Sequence, residues 1–114
     1  MKGIIIISKF WTGLFSFKKA NGVTIFPFIF FSEESLVADK VLINHERIHI
    51  QQALEMMILP FYCLYLIEFL IRYIHCRSFN KAYRSISFEK EAYLNQYNLH
   101  YLSIRKRWAF IKYF

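Results

Sequence analysis

The sequence predicts a mainly α-helical α+β protein, in which a short β-strand or hairpin precedes a central helix and another helix can insert into a membrane. Three stretches predict this class. Residues 23–31 are β-branched and aromatic, residues 32–59 have a helical pattern, and residues 57–74 are almost wholly apolar. A chain of 114 residues can bury one core but not two, so we expect a single domain.

The composition favours a protein that works at a membrane. Hydrophobic residues make up 56% of the chain, with 13 Phe and 8 Tyr, and a soluble domain of this length cannot easily hide so much apolar surface. The net charge is +7, and most cations follow residue 70, where they mix with aromatic residues. This pattern favours membrane lipid as a partner and makes nucleic acid the weaker alternative.

Residues 1–31 are predicted to form a strand or hairpin region. The apolar run Ile4–Ile7 is interrupted at Lys9 and is too short for the core of a signal peptide. We therefore expect no cleaved signal peptide, and either a first strand or an interfacial segment at this position. Asn21 and Gly22 then supply turn chemistry.

The stretch 23–31 is the best strand candidate in the chain. Its β-branched and aromatic residues favour one strand, and Pro27 in its middle favours an edge position because proline lacks the N–H group that a central strand needs. An edge strand can bind an extended peptide by main-chain hydrogen bonds.

The central helix is predicted within residues 32–59. Ser32, Ser35 and Asp39 are candidate N-caps, and the pattern ends before Pro60.

An apolar helix is predicted at residues 60–75. The whole region approaches the roughly twenty residues of a membrane span, so we expect a membrane-inserted or re-entrant helix, with a buried core helix as the alternative. Glu68 and Arg72 are four residues apart and can pair. Cys63 and Cys76 have neither metal nor disulfide spacing, and as reduced thiols they favour a site that faces the cytoplasm.

Two further segments complete the predicted fold. Residues 81–103 are predicted to form a third helix, with Phe88, Ala92 and Leu99 near one face. Residues 104–114 form a basic aromatic tail. Such a tail is typical of a membrane interface, and contact with RNA is the alternative.

The central helix carries a His-Glu-x-x-His motif at residues 45–49. Since residues four apart lie on one face of a helix, His45 and His49 can direct two imidazole nitrogens at one zinc ion. Glu46 lies beside this face, where it can take a proton from a zinc-activated water. The alternative is a helix that carries two polar histidines and an exposed glutamate.

A catalytic zinc ion normally has three protein ligands, so a third is needed from another segment. Glu89 is the first candidate and Glu91 the reserve, because both lie at the start of the predicted third helix. His75 with Cys76 is a weaker candidate. His100 lies three turns from Glu89, about 16 Å, so these two cannot bind one ion.

On these residues the chain resembles the gluzincins, metallopeptidases with HExxH on one helix and a glutamate ligand on a later one. It is similar to their integral-membrane branch, which includes the CAAX prenyl proteases, HtpX-type heat-shock proteases and BlaR-type antirepressor peptidases. In that branch the third ligand opens an E-x-x-A-D motif, and the Glu-Lys-Glu-Ala sequence of residues 89–92 matches its first four positions. The resemblance covers residues 23–97.

The resemblance implies a minimal zincin-like fold with a zinc ion. His45, His49 and Glu89 are the implied ligands and Glu46 the implied general base, so the expected function is membrane-associated hydrolysis of a peptide or protein substrate. The alternative is a non-enzymatic small membrane or interaction protein with a degenerate or structural metal site.

The chain departs from the family motif at Tyr93, where the branch has an aspartate. Such a carboxylate orients a metal-bound histidine. Asn44, Gln51, Gln52 and Tyr93 itself are the candidates for this supporting role, and Tyr93 is also a candidate for stabilising an oxyanion.

Overall fold

The computed structural model describes residues 3–16 and 21–114, which form a three-stranded sheet and six α-helices. In chain order these are β1 (Ile4–Ile7), α1 (Lys9–Ser16), β2 (Gly22–Ile25), β3 (Phe28–Phe31), α2 (Lys40–Glu55), α3 (Leu59–Cys76), α4 (Phe79–Ser85), α5 (Ser87–Asn95) and α6 (Tyr101–Ile104). Two 3₁₀ segments, Glu34–Ala38 and Ala109–Tyr113, complete the described structure. The prediction of a mainly helical protein with a short strand or hairpin before the motif helix is confirmed at this level, and the strands form a small three-stranded sheet.

The sheet has the strand order β1-β3-β2, with β1 parallel and β2 antiparallel to β3. The strand predicted at Ile4–Ile7 is present, but the prediction of one strand over residues 23–31 is wrong. Pro27 cannot donate a ladder hydrogen bond, so the chain turns at the cis Phe26–Pro27 bond and returns as a second strand. The result is a hairpin in which β3 is central and β2 lies at the edge of the described sheet.

Helix α1 was not predicted, and it lies within the region expected to be strand or hairpin. Ser8 explains where it begins, since its hydroxyl oxygen accepts a hydrogen bond from the N–H of Trp11. Its side chains Phe10 and Leu14 are exposed.

The central helix is shorter than residues 32–59. A 3₁₀ turn comes first, and α2 then begins after Asp39, whose carboxylate accepts a hydrogen bond from the N–H of Leu42 at 3.1 Å. The helix ends at Glu55 because Met57 and Ile58 have positive φ angles of 60° and 71°, which no helix continues.

Helix α2 is buried on two sides, which explains why its polar residues lie inside the protein. Ile50 packs with Ile29 and Phe31 of the sheet. Ile48 packs with Ala92 of α5 and with Tyr101. These two contacts are made beside the motif at residues 45–49, so the sheet and α5 enclose its buried side chains.

Helix α3 forms almost where residues 60–75 predicted an apolar helix. Of its residues only Phe61 and Glu68 are buried, and 11% of its 18-residue apolar window is buried, so the alternative of a buried core helix does not fit. With a mean hydropathy of 1.3 over 18 residues, the helix is long and apolar enough to cross a membrane.

The prediction of one helix over residues 81–103 is wrong. The chain leaves helical geometry at Ile86 (φ −61°, ψ 134°) and again between α5 and α6, which makes three short helices. The break at Ile86 lets the backbone N–H of Ser87 donate to the Glu68 carboxylate at 2.6 Å, so α5 starts on a partner from α3.

The segment 104–114 is not wholly a surface tail. Phe110 is buried, with its ring centroid 4.7 Å from that of Phe88, and the side chain of Arg105 is 2% exposed. The expectation of a tail that lies at a membrane interface is therefore wrong for these two residues, although Ile111 and Phe114 remain exposed.

Candidate metal centre

Three side chains from two helices meet in the interior. His45 Nε2 and His49 Nε2 lie 3.2 Å apart, and Glu89 Oε1 lies 3.2 Å from the first and 3.1 Å from the second. The two histidines come from consecutive turns of α2, and the carboxylate comes from the first turn of α5. All three are at most 5% exposed, and together they could hold a metal ion.

The amide of Gln52 determines which nitrogen of His49 carries a proton. Gln52 Nε2 donates to the Phe88 carbonyl at 3.0 Å and to Glu91 Oε1 at 2.9 Å, both of which only accept. Its Oε1 therefore faces His49 Nδ1 at 2.8 Å. An amide oxygen at that position requires Nδ1–H in the neutral ring, which leaves a lone pair on Nε2.

His45 has the same arrangement with a partner that sequence reasoning missed. Gln96 Oε1 lies 2.8 Å from His45 Nδ1, and with the amide oxygen on this side the proton of the neutral ring belongs on Nδ1 and the lone pair on Nε2. Gln96 lies at the C-terminal end of α5. The sequence signal was weak, because no motif marks a glutamine seven residues after the carboxylate ligand.

When both rings are neutral, three electron-pair donors converge on one point, and either a proton on His49 or a metal cation between them offsets their repulsion. Burial disfavours a charge on His49, but the adjacent Glu89 carboxylate outweighs this effect and raises the pKa of His49 to about 9. Burial likewise opposes the Glu89 carboxylate, yet the two histidines hold the pKa of Glu89 below its ordinary value. Two imidazoles and one carboxylate are also a donor set of catalytic zinc sites, so the residues fit a divalent metal ion.

The second oxygen of Glu89 is held by α3. The Tyr65 hydroxyl donates to Glu89 Oε2 at 2.5 Å, which leaves Oε1 for the two histidines. Sequence reasoning missed Tyr65, since a tyrosine in an apolar helix is as easily a packing residue as a hydrogen-bond donor.

Glu68 of α3 fixes the start of α5, the helix that carries Glu89. Its carboxylate accepts hydrogen bonds from the N–H and the hydroxyl of Ser87 at 2.6 and 2.8 Å. The predicted partner, Arg72, lies farther away at 3.8 Å. Glu68 is therefore chiefly a cap on α5, placed where a negative charge complements the helix dipole.

Glu46 is buried next to the ligands and faces the edge strand. The Thr24 hydroxyl of β2 donates to Glu46 Oε2 at 2.6 Å. Glu46, His49 and Glu89 all line a cavity of about 680 Å³. The four residues of β2 form one side of this cavity, and α3 contributes much of its apolar wall, with Phe61, Tyr62, Tyr65, Leu66 and Phe69.

Three further residues were predicted to support a histidine, and each has a different position in the structure. Tyr93 packs edge-on against His45, with ring centroids 4.5 Å apart, so it contacts the imidazole ring without a carboxylate. Asn44 does not support a histidine; its amide donates to the carbonyls of Gln96 and Asn98 at 2.8 and 3.0 Å. Among the described residues, the Nδ1 partners of the two histidines are Gln96 and Gln52, and no hydrogen bond joins Gln51 to either ring.

Glu91 takes no place among the three converging atoms. It is fully buried behind Gln52, where Arg105 and Tyr101 donate to it. Burial opposes its charge, but these hydrogen bonds hold the pKa of Glu91 below its ordinary value. The reserve ligand is therefore a structural carboxylate in this protein.

His75 and His100 are exposed and belong to no cluster of metal-ligating side chains within the described residues.

Comparison of the chain with protein-family models, with characterised proteins and with solved structures gives no match. The resemblance to gluzincins therefore rests on the motif, and the candidate centre rests on its own geometry.

Proposed function

We propose that this protein is a membrane-associated, zinc-dependent peptidase. One observation carries the proposal: the imidazole nitrogens of His45 and His49 and the carboxylate of Glu89 converge in the interior, with Glu46 on the same cavity. A donor set of two histidines and one glutamate is used by zinc peptidases. When bound there, zinc lowers the pKa of a water ligand and polarises a carbonyl oxygen.

Glu46 supplies the proton acceptor of the proposed reaction. The Thr24 hydroxyl engages Oε2 at 2.6 Å and so fixes the orientation of the carboxylate. We assign the proton-accepting role to the other oxygen, Oε1, which then passes the proton to the leaving amine as a general acid.

The substrate proposed is an extended peptide with an apolar side chain. Strand β2 pairs with β3 on one side within the described sheet, and all four of its residues line the cavity. A peptide can therefore add to the free edge of β2 by main-chain hydrogen bonds. The aromatic wall from α3 would receive an apolar side chain next to the ligands.

Zinc analysis of the purified protein tests the proposal. Wild-type protein is expected to retain about one zinc ion per chain after dialysis, because three buried ligands hold it. His45→Ala removes one ligand and should lose stoichiometric zinc. His100→Ala is the matched control, since the same ring is removed from an exposed position; absence of zinc from the wild type, or equal zinc in His45→Ala, contradicts the proposal.

The exposed face of α3 supports the membrane part of the proposal. Leu64, Ile67, Leu70, Ile71 and Ile74 are each at least 44% exposed, which is unusual for so many large apolar side chains on one helix. The same observation favours the second candidate function, a non-enzymatic membrane protein with a structural metal ion.

Vesicle flotation checks the lipid contact. We expect wild-type protein to float with vesicles of phosphatidylcholine and phosphatidylserine. Leu70→Glu with Ile74→Glu should remove this binding, because each charge costs about 3 kcal/mol in the bilayer core. The control pair Leu94→Glu with Leu99→Glu adds the same charge at exposed sites away from α3 and should still float; equal loss in both pairs would mean that α3 is not the lipid-binding surface.

A further inference from the structure

A buried ion cluster lies behind the candidate metal centre. The Arg105 guanidinium donates from Nε and Nη2 to the two oxygens of Glu91, the latter at 3.0 Å, and from Nη1 to Glu55 Oε2 at 2.9 Å. The side chains of Arg105 and Glu91 are 2% and 0% exposed. Arginine is suited to this position, because its planar fork binds both oxygens of one carboxylate.

The cluster is connected to a metal ligand through one amide. Glu91 Oε1 accepts from Gln52 Nε2 at 2.9 Å, and Gln52 Oε1 lies 2.8 Å from His49 Nδ1. A continuous line of hydrogen bonds therefore runs from the guanidinium of Arg105 to the imidazole of His49. Each link is short, and the side chains of Gln52 and Glu91 are fully buried.

The direction of the Gln52 amide decides whether His49 can bind a metal ion. With its NH₂ group on Glu91, the amide presents oxygen to Nδ1, and Nε2 keeps the lone pair that a metal ion needs. With the amide reversed, NH₂ would face Nδ1, and the proton of the neutral ring would move to Nε2. The NH₂ group has two acceptors, the Phe88 carbonyl and Glu91, and of these Glu91 is a side chain that must itself be held in place. Tyr101 donates one hydrogen bond to Glu91, whereas Arg105 donates to both of its oxygens and is therefore its main anchor.

We infer that Arg105 is a positioning residue for the metal centre, acting through Glu91 and Gln52 on the ring of His49. This inference rests on the proposed zinc site. It gives the C-terminal segment a role in metal binding, although that segment contributes no ligand.

Glu55 provides a matched control within the same cluster. Its Oε2 accepts from Arg105 at 2.9 Å and from the N–H of Trp108 at 3.0 Å, so it anchors the C-terminal segment as Arg105 does. No hydrogen bond within the described residues joins Glu55 to Gln52 or His49. Glu55→Gln therefore weakens the anchor and leaves the line to His49 intact.

The test compares Arg105→Met with Glu55→Gln and the wild type, each as the full chain. Zinc dissociation constants are measured by competition with a chelator, and cobalt(II) is loaded so that its visible absorption spectrum reports the ligand geometry. We expect Arg105→Met to weaken zinc binding by about 10–100-fold and to alter the cobalt spectrum. Glu55→Gln should lower the melting temperature but keep the wild-type affinity within about threefold and the wild-type spectrum.

Each outcome has one meaning. Equal zinc affinity and equal cobalt spectra in the two variants overturn the inference while leaving the zinc site in place. A wild type that binds no zinc overturns both the inference and the proposed function. If Arg105→Met does not fold, Arg105→Lys replaces it, because lysine keeps the charge but loses the fork; it must weaken zinc binding more than Glu55→Gln does, and an equal effect overturns the inference.

Discussion

Peptide hydrolysis by Glu46→Gln is expected to fall by about 10²–10⁴-fold, the range that a positioned general base contributes. Glutamine has nearly the same shape but cannot take up a proton, so the loss is one of chemistry and not of packing. Its amide oxygen can still accept the hydrogen bond from Thr24 that fixes the side chain. Zinc content should therefore stay at the wild-type level.

The measurement combines initial rates on fluorogenic peptides that carry apolar residues with zinc analysis of the same samples. Glu34→Gln makes the same chemical change on an exposed residue and should keep wild-type rates. Retained hydrolysis in Glu46→Gln would remove Glu46 from the mechanism. A wild type that binds zinc but hydrolyses no peptide, with Glu46→Gln equally silent, would favour the non-enzymatic membrane protein.

Glu68→Leu is expected to lower the free energy of unfolding by about 2–4 kcal/mol, combining the loss of a cap with burial of unpaired donors. Leucine would make α3 more apolar, and a helix held only by its hydrophobicity would gain from the change. In this structure it instead leaves the N–H and the hydroxyl of Ser87 without their partner. Zinc affinity should fall as well, because Glu89 lies in the first turn of α5, at the released end.

Denaturant titration in detergent micelles measures this effect. Arg72→Leu is the matched control, because it removes the other half of the 3.8 Å pair and leaves the cap intact. A part-exposed pair at that distance contributes little, so we expect a change under about 1 kcal/mol. Equal losses in the two variants would show that the ion pair matters and the cap does not, and a gain in stability for Glu68→Leu would refute the capping role outright.

The parts of the centre that sequence reasoning could reach depend on local spacing. His45 and His49 meet because they are four residues apart on one helix, and this follows from helix geometry alone. Glu89 was the first candidate at the start of the predicted third helix, the resemblance to the gluzincins implies the same residue, and the structure brings Glu89 to the histidines. Helix α3 was equally accessible, since an apolar run of that length has few other structures.

The parts of the candidate centre that could not be predicted from the sequence depend on contacts between segments that are distant along the chain. Glu68 was paired with Arg72 because they are neighbours on one helix, whereas its main partner is Ser87, on another helix. The same contact explains why residues 81–103 do not form one helix. The spacing of apolar residues along one helix contains no information about Glu68, a side chain of another helix that accepts a hydrogen bond from the N–H of Ser87.

The C-terminal segment shows the same limit. Alternating cations and rings are typical of a lipid interface, and this reading suits the exposed Ile111 and Phe114. It fails for Arg105, because the acceptors that bury it, Glu55 and Glu91, lie on α2 and α5. Composition alone cannot separate an arginine that faces lipid phosphate from one that is neutralised inside the protein.

The two contacts of α3 with α5 support only one part of the candidate metal centre. His45 and His49 lie on one continuous helix, so their spacing does not depend on α3. Glu89 is held by Tyr65, and its helix by Glu68, three residues apart on the same side of α3. Because Glu89 and the start of its helix are bonded to α3, the distance from Glu89 Oε1 to the two imidazole nitrogens depends on the position of α3, the helix whose apolar side chains are exposed.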